Sequence, residues 1–201
     1  DFTWDLVLNM SGNRGTLGDF LEGVDYFYVT DAQIGGVKAA SIPNGGYFLG
    51  LTGNYWLREK DENGDEIKNG RYQIDPTTGL YKTQGTQNNV IGNREPSMIG
   101  GLTSNFRWKD LSFSFLFDFR LGGDIYNGTQ YYLTTRGQSM RTLENNRTKI
   151  SFSGVNSNTG EPMDVCYEAG QSYNINGSVY SGEYMIQQYW SNYAENAYNF
   201  I

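Results

Sequence analysis

Oxygen-bearing side chains stand at alternate positions in the acidic run of residues 61–66, namely at Asp61, Asn63 and Asp65. Alternating Asp and Asn residues supply the carboxylate and amide oxygens of looped calcium sites, so this run is a candidate for calcium chemistry. The rest of that pattern is absent, because Gly64 falls two residues before the sixth position and Tyr72 stands where a bidentate Glu should close the loop. We therefore interpret the run as a solvated turn and predict no metal site.

Groups for covalent chemistry are scarce. The sequence has no His, and Cys166 is its single cysteine, which excludes a disulfide framework, a Cys/His zinc site and a nucleophile–His pair within these residues. The carboxylates of Asp118, Asp124 and Glu161 have no spacing that singles out an acid–base pair. The pairs Gly35-Gly36 and Gly122-Gly123 lack the Lys and the following helix of a phosphate loop. The sequence predicts no catalytic residue, no cofactor and no enzyme.

Alternation is strongest in residues 99–120, which predict one β-hairpin with strands over 99–108 and 111–120 and a turn at Lys109-Asp110. Side chains alternate across a strand, so one face of the second strand carries Leu111, Phe113, Phe115, Phe117 and Phe119. The other face carries Ser112, Ser114, Asp118 and Arg120, with Leu116 the exception. This apolar stripe is about as long as the ~9–11 residues that a tilted strand needs to cross a bilayer. We expect the first set to face lipid and the second to face a hydrated lumen.

The N-terminal residues repeat this pattern. One face of the predicted strand carries the apolar residues Phe2, Trp4, Leu6, Leu8 and Met10, and the other face carries Thr3, Asp5, Asn9 and Ser11. Val7 alone breaks the alternation. Residues 46–57 predict a third strand with a less regular pattern, and one more strand is expected between residues 25 and 42. The predicted lipid-facing residues of the first strand are Phe2, Trp4, Leu6 and Leu8. A dry face of this kind could instead line the inside of a soluble β-sandwich, because alternation does not report what covers it.

The connections differ greatly in length. Lys109-Asp110 is a two-residue turn, whereas residues 58–98 and 121 onward are long, polar and rich in Gly and Asn. Outer-membrane barrels have short periplasmic turns and long extracellular loops. We therefore expect strands over 1–128 with an extracellular loop at about 58–98, and an elaborated extracellular loop over 129–201.

In residues 129–201 the alternation fades, and we expect a short helix within 185–198. Aromatic side chains in this segment could stack on sugar rings or simply pack inside large loops. The candidates for contact with cargo or a partner are Tyr131, Tyr132, Tyr180, Tyr184 and Trp190.

Composition favours strands over helices. Aromatic residues make up 15% of the chain, Gly occurs 26 times, and charged residues reach only 18%. The net charge of −7 and the lack of a Lys/Arg cluster argue against a nucleic-acid partner. The mean hydropathy of −0.57 is compatible with strands that are half polar. The predicted fold class is all-β, as part of an antiparallel transmembrane β-barrel with long extracellular loops; that the barrel is large is what the resemblance described next implies.

Several blocks together resemble the C-terminal half of the barrel of SusC/RagA-type TonB-linked outer-membrane transporters of Bacteroidetes. The first block is Phe2-Thr3-Trp4 through Leu8-Asn9-Met10-Ser11-Gly12-Asn13-Arg14. The later blocks are residues 91–96 (IGNREP), 100–103 (GGLT), 108–112 (WKDLS) and 118–127 (DFRLGGDIYN). The resemblance covers residues 2–57 and 88–128, and it implies that the chain is a fragment of a longer polypeptide.

The resemblance implies an importer of glycans or oligopeptides in the bacterial outer membrane, as in polysaccharide utilisation. Its partners would be membrane lipid, a SusD-like surface lipoprotein, the cargo and the TonB–ExbB–ExbD complex, the last through an N-terminal part outside these residues. This segment would supply barrel wall and extracellular loops. The alternative is a soluble or surface-attached β-sandwich that binds carbohydrate through its aromatic loops.

Overall fold

The computed structural model describes residues 1–18, 22–24, 27–29, 38–42, 47–84 and 90–195. The strands before the hairpin are β1 (Phe2–Ser11), β2 (Phe27–Tyr28), β3 (Lys38–Ile42), β4 (Tyr47–Thr52), β5 (Gln73–Asp75), β6 (Leu80–Tyr81) and β7 (Val90–Asn93). The hairpin strands are β8 (Met98–Trp108) and β9 (Leu111–Leu121), followed by helix α1 (Gly128–Thr135) and a 3₁₀ segment (Met140–Arg147) that is interrupted by a kink at residues 144–146. The remaining elements are β10 (Lys149–Asn156), β11 (Pro162–Glu168), β12 (Ser172–Ile175), β13 (Ser178–Ser181) and helix α2 (Gly182–Glu195).

The predicted all-β class is confirmed, since strands dominate the described chain and helices are few. The strands form four open sheets in the orders β1-β8-β9, β2-β3-β4-β7, β11-β10-β5-β6 and β12-β13. No helix in the described ranges is long and apolar enough to cross a membrane. The chain divides into two compact units, one of Asp1–Asp31, Ala39–Leu51 and Gly92–Ile125, and one of Ala32–Lys38, Thr52–Ile91 and Tyr126–Ile201.

The first unit contains the three-stranded antiparallel sheet β1-β8-β9. The predicted hairpin is confirmed, with β8 and β9 joined at Lys109-Asp110 and paired from Met98↔Leu121 to Trp108↔Leu111. Strand β1 pairs with the other edge of β8 from Phe2↔Trp108 to Ser11↔Ile99. The turn needs a left-handed residue, and Lys109 supplies it with φ of +53°. Alternation and the short turn together define this register.

The other predicted strands of the N-terminal half are found in shorter form. The strand predicted over 46–57 ends at Thr52, as β4, and Gly46 lies outside the described residues. The strand expected between 25 and 42 is two elements, β2 and β3, which pair through Phe27↔Ser41 and Tyr28↔Ala40. Within that interval, Tyr26, the pair Gly35-Gly36 and Val37 lie outside the described residues.

The second unit has a hydrophobic core of its own. Strand β10 lies inside the sheet β11-β10-β5-β6 and pairs with β5 in parallel through Val155↔Gln73. The buried core residues are Trp56, Ile74, Tyr81, Ile150, Phe152, Tyr167, Met185, Ile186 and Trp190. Burying side chains of this size contributes ~1.5–3 kcal/mol each. Residues 52–84 and 126–195 are therefore organised around one core rather than as separate loops.

Buried tyrosine hydroxyls are hydrogen-bonded to backbone carbonyls in this core. Tyr167 Oη donates to the Gly79 carbonyl at 2.7 Å, and Tyr81 Oη donates to the Ser153 carbonyl at 3.0 Å. Burial raises the pKa of the Tyr167 phenol to about 12, with a smaller contribution from Tyr173. Burial likewise raises the pKa of Tyr189. The phenols of Tyr167 and Tyr189 therefore stay protonated at neutral pH. The hydrogen bonds of Tyr167 and Tyr81 satisfy hydroxyl groups that would otherwise be costly to bury.

The helix expected within residues 185–198 is found as α2, which begins at Gly182 and ends at Glu195. The strands β10 to β13 lie in a segment where we expected no alternation. Ile150 and Phe152 point into the core from β10, between the exposed Lys149, Ser151 and Ser153. The location of this segment outside a membrane stays a prediction.

Candidate functional site

The three-stranded sheet of the first unit has one apolar side, which we call the apolar face. Residues directly opposite one another in an antiparallel pair share a face. The pairs Trp4↔Phe106 and Phe106↔Phe113 therefore place the stripes of β1 and β9 on the same side of the sheet. The apolar face consists of Phe2, Trp4, Leu6, Leu8, Met10, Gly100, Leu102, Ser104, Phe106, Trp108, Leu111, Phe113, Phe115, Phe117 and Phe119. All nine residues predicted to face lipid lie on it.

Aromatic rings form a connected cluster on the apolar face. Phe106 stacks on Trp4 with ring centroids 5.7 Å apart, and it also contacts Phe113 at 6.4 Å and Phe115 at 6.2 Å. Phe117 extends the cluster with a perpendicular contact to Phe115 at 5.2 Å. Such pairs contribute ~0.5–1.5 kcal/mol beyond the area they bury. The rings thus hold one another in a continuous layer across three strands.

This layer is exposed. Leu111, Phe113 and Phe117 retain 66%, 61% and 62% of their accessible surface. Exposed apolar patches on soluble monomers are usually far less extensive than this apolar face. Larger patches indicate a surface that contacts protein or membrane. The face extends from Phe2 to Met10, which is roughly 27 Å at ~3.4 Å per residue. A tilt of 35–45° reduces this length to roughly 20 Å of depth, close to the ~25 Å apolar band of outer-membrane barrels.

Ser104 is the polar exception on the apolar face, and its hydroxyl has a defined partner. The indole Nε1 of Trp4 donates to Ser104 Oγ at 2.9 Å, and Ser104 is almost fully buried. An unpaired indole N–H would be costly in an apolar environment. The bond therefore lets Trp4 present its ring outward without an unsatisfied donor.

The opposite side, which we call the polar face, carries the predicted lumen-facing residues Ser112, Ser114, Asp118 and Arg120. Strand register explains the two breaks in the sequence pattern. Val7 pairs with Thr103, and Thr103 pairs with Leu116, so both exceptions fall in one row across the sheet. Val7 and Leu116 are 48% and 59% exposed. Val7 and Leu116 thus lie in one row, and Ile99, which pairs with Ser11 and Arg120, is a further apolar residue on the polar face.

The end of the sheet opposite the Lys109 turn brings two of the sequence blocks together. The Asn93 N–H donates to Asp124 Oδ2 at 2.7 Å, and the Asp124 N–H donates to the Asn93 carbonyl at 2.6 Å. Arg120 Nη2 donates to the Arg94 carbonyl at 2.7 Å. Gly123 has φ of +83°, and a Cβ there would lie 2.9 Å from the Arg94 carbonyl oxygen. Hydrogen bonds between residues 93–94 and 120–124 therefore tie the segment before β8 to the segment after β9.

The turn end of the hairpin carries an aromatic residue beside a cation. The Lys109 ammonium lies 5.4 Å from the ring centroid of Trp108. Trp and Lys are both frequent at membrane interfaces, where the ring meets the apolar layer and the charge reaches water. This end of the apolar face is therefore suited to an interface.

The aromatic residues proposed for cargo or partner contact separate into three places in the second unit. Tyr131 and Tyr132 lie on α1 and contact each other at 5.2 Å. Tyr180, at the end of β13, stacks on Tyr184 of α2 with centroids 5.3 Å apart and planes 11° from parallel. Trp190 is only 9% exposed and belongs to the core. Tyr132 and Tyr184 are 48% and 44% exposed, so each pair reaches the surface, and the Tyr180–Tyr184 pair is the one whose rings are nearly parallel.

The acidic run forms a hairpin turn in which Asp61 is the acceptor. Its Oδ1 receives hydrogen bonds from the N–H groups of Asn63 at 2.9 Å and Asp65 at 3.0 Å. Strand-like pairing of Lys60 with Glu66 closes the turn. Asp61 Oδ1, a candidate calcium ligand, therefore accepts backbone hydrogen bonds instead. Across the described ranges, no group of three or more His, Cys, Asp or Glu side chains is arranged to hold a metal.

On the surface of the second unit, Lys149 and Glu168 form an exposed ion pair. The Lys149 ammonium lies 2.7 Å from Glu168 Oε1 across the β10–β11 ladder. The hydrogen bond from Lys149 lowers the pKa of Glu168 and raises that of Lys149. Cys166 Sγ accepts from Ser151 Oγ at 3.4 Å on the same side. Both partners of the ion pair are solvent-exposed, so it contributes little to stability.

Comparison with known proteins gives a distant similarity to a bacterial receptor. No protein-family model matches the chain. TonB-dependent receptor P26 of Formosa agariphila is 26% identical over 190 residues, which cover 83% of this chain. The chain spans only 18% of the length of that relative. The relative is named as a receptor and not as an enzyme.

Proposed function

We propose that this chain is a wall segment of a TonB-dependent importer in the bacterial outer membrane. The observation that carries the proposal is the apolar face, where aromatic and aliphatic side chains from three paired strands lie on one side and remain exposed. The similarity to a TonB-dependent receptor supports the same assignment. In the proposed protein, β1 and β9 pair with further barrel strands, because an open sheet edge is not tolerated in lipid.

The two faces of the sheet have different environments in the proposed importer. The apolar face contacts lipid tails, and the polar face, with Ser112, Ser114, Asp118 and Arg120, lines a hydrated interior. The Lys109 turn lies on the periplasmic side, and residues at about 58–98 and 129–201 lie on the extracellular side. No residue of this segment performs covalent chemistry in the proposed importer.

The finer assignment is an importer of the SusC/RagA type. It rests on the linked sequence blocks, two of which meet at the Asn93–Asp124 hydrogen bonds. Such an importer takes up glycans or oligopeptides, is energised by the TonB–ExbB–ExbD complex and works with a SusD-like lipoprotein. The Tyr180–Tyr184 pair is the proposed aromatic contact for cargo or partner.

Exposure of the apolar face favours the importer over a soluble β-sandwich that binds carbohydrate. A sandwich would cover this face with a second sheet. Instead, the rings of Phe113 and Phe117 keep more than half of their surface accessible. A soluble module with this face uncovered would be prone to aggregate.

Fractionation of the source cells and purification of the intact polypeptide test the proposal. We expect the protein in the outer membrane and, after mild detergent extraction, a stoichiometric lipoprotein bound to it. Deleting its gene should abolish uptake of at least one glycan or peptide from a panel, and deleting tonB should give the same loss. A protein recovered in the soluble fraction, or uptake that is unchanged in both deletion strains, would contradict the importer assignment.

A further inference from the structure

A cavity of about 720 Å³ lies in the second unit, beside α1, the 3₁₀ segment and α2. This volume is within the ~300–1,000 Å³ range of small-molecule sites. Its rim carries Arg136, Arg147 and Glu183, while Thr142, Ile186 and Trp190 contribute buried surface beneath them. An apolar floor with a few convergent polar groups is the usual composition of a ligand pocket.

Among the described residues, the two arginines at the rim have no carboxylate partner. The ion pairs in the described part of the chain are Arg71–Glu59 and Lys149–Glu168, and neither involves the cavity. The third charged group at the rim, the Glu183 carboxylate, accepts the Gly170 N–H at 2.8 Å. Backbone hydrogen bonds from Glu183 itself and from Gly170 lower the pKa of this carboxyl, so it stays ionised. One negative and two positive charges leave the rim with an excess of one positive charge.

Backbone geometry holds Arg147 in place. Asn145, Asn146 and Arg147 have φ of +47°, +52° and +62° in succession. Residues with a Cβ rarely adopt this left-handed conformation, and such residues cluster at ligand clamps. The Thr148 hydroxyl donates to the Asn145 carbonyl at 2.7 Å, and Arg147 Nη2 donates to the Gly137 carbonyl next to Arg136. The strained run thus directs one guanidinium toward the residue that follows the other arginine.

The floor of the cavity is preorganised by side-chain hydrogen bonds. Gln130 Nε2 donates to Thr134 Oγ1 at 3.1 Å and to Ser139 Oγ at 2.7 Å. Thr142 Oγ1 donates to the Ser139 carbonyl at 2.7 Å. A ligand therefore meets side chains that are already fixed, which lowers the entropic cost of binding.

We propose that this cavity binds a ligand through a carboxylate group, which Arg136 and Arg147 hold at the rim. A single carboxylate neutralises the excess positive charge, and guanidinium groups match its planar geometry. Trp190 and Ile186 contact the apolar surface of the ligand body. The carboxylate can belong to a uronic-acid oligosaccharide or to the C-terminus of a short peptide. This inference deepens the proposed importer function, on which the choice of these two ligand classes rests.

Calorimetric titration of the intact polypeptide in mild detergent tests the proposal. One pair of probes is trigalacturonate and the matching neutral galactose trisaccharide, and the other is trialanine with a free or an amidated C-terminus. We expect at least one acid to bind tenfold or more tightly than its neutral counterpart, and the pair that shows this difference identifies the source of the carboxylate. If neither acid binds more tightly than its counterpart, the proposal is wrong.

Arg136→Gln is the decisive variant, because the Arg136 side chain makes no hydrogen bond within the described residues and its loss should not disturb the fold. Losing one charge-assisted interaction should weaken binding of the acid by about tenfold or more. Arg107→Gln removes the same charge from the first unit and is the matched control, for which we expect unchanged affinity. Equal affinities of the two variants for the acid would overturn the proposal. Circular dichroism of both variants checks that each is folded. Because binding in detergent requires neither insertion nor transport, failure here is distinguishable from failure of the importer assignment.

Discussion

Replacing Phe115 with Arg should destabilise the membrane-inserted protein strongly. Phe115 lies in the middle row of the apolar face, Leu6–Ser104–Phe115, with two rows toward each end of the sheet. Four residues along the strand correspond to roughly 14 Å, or about 10 Å of depth after tilt. Phe115 is therefore near the bilayer midplane, where an added Arg on the lipid side costs ~2–4 kcal/mol.

The assay is denaturant unfolding of the intact protein in phospholipid vesicles, followed by tryptophan fluorescence. Phe115→Leu controls for loss of the ring contacts to Phe113 and Phe117, which lie at 5.8 and 5.2 Å. Ser114→Arg places the same charge one residue away on the polar face, where we expect a cost below about 1 kcal/mol. Equal losses for Phe115→Arg and Ser114→Arg would refute the assignment of the two faces.

The remaining predictions concern packing, pH and the backbone at Gly123. Trp190→Ala should lower the stability of the second unit by ~3–5 kcal/mol through a core cavity, whereas Tyr184→Ala should cost less than about 1 kcal/mol, and thermal melts of the two variants compare them. The stability contributed by the neutral Tyr167 phenol should be fully present below pH 10 and should fall as the pH rises from 10 toward 12. The reason is that the Tyr167 pKa is raised from 10.0 to about 12 in the folded state. That difference corresponds to a loss of about 3 kcal/mol in the free energy of unfolding. In Tyr167→Phe, the free energy of unfolding should fall less between pH 10 and 12. The variant should also cost ~1–3 kcal/mol at neutral pH, because the Gly79 carbonyl loses its hydrogen-bond donor. Gly123→Ala should destabilise the first unit by ~1–3 kcal/mol, because it forces a Cβ into a left-handed position close to the Arg94 carbonyl. Urea unfolding measures this cost, and an unchanged midpoint would contradict the close approach of residue 123 to the Arg94 carbonyl.

The hairpin of the first unit was predictable because all of its information is local. Strict alternation sets which side chains share a face, and the two-residue turn sets the register. Pairing of β1 with β8 joins residues about 100 positions apart, as in Trp4 and Ser104. The sequence predicts both strands but not that they are neighbours. The common row of Val7 and Leu116 emerges only once that register is known.

The second unit was less predictable because its sheet is built from distant and short segments. Strand β5 has three residues and joins β10 in parallel across some 80 positions. Alternation is present in β11, where Met163, Val165 and Tyr167 contact or belong to the core and Asp164 and Cys166 do not. Counting that pattern would have found the strand. The convergence of Arg136 and Arg147 on one cavity depends on left-handed backbone that no local pattern predicts.

Collision accessibility of spin labels along residues 111–119 is the most direct measure of what contacts the apolar face. Each label is attached to a single introduced cysteine in a Cys166→Ser background, with the intact protein in lipid vesicles. We predict that oxygen, which concentrates in the bilayer, relaxes labels at the odd positions most, whereas a water-soluble nickel chelate relaxes those at Ser112, Ser114 and Asp118. Labels at Phe113, Phe115 and Phe117 that neither reagent reaches would place these side chains inside protein and refute the assignment of the apolar face to lipid.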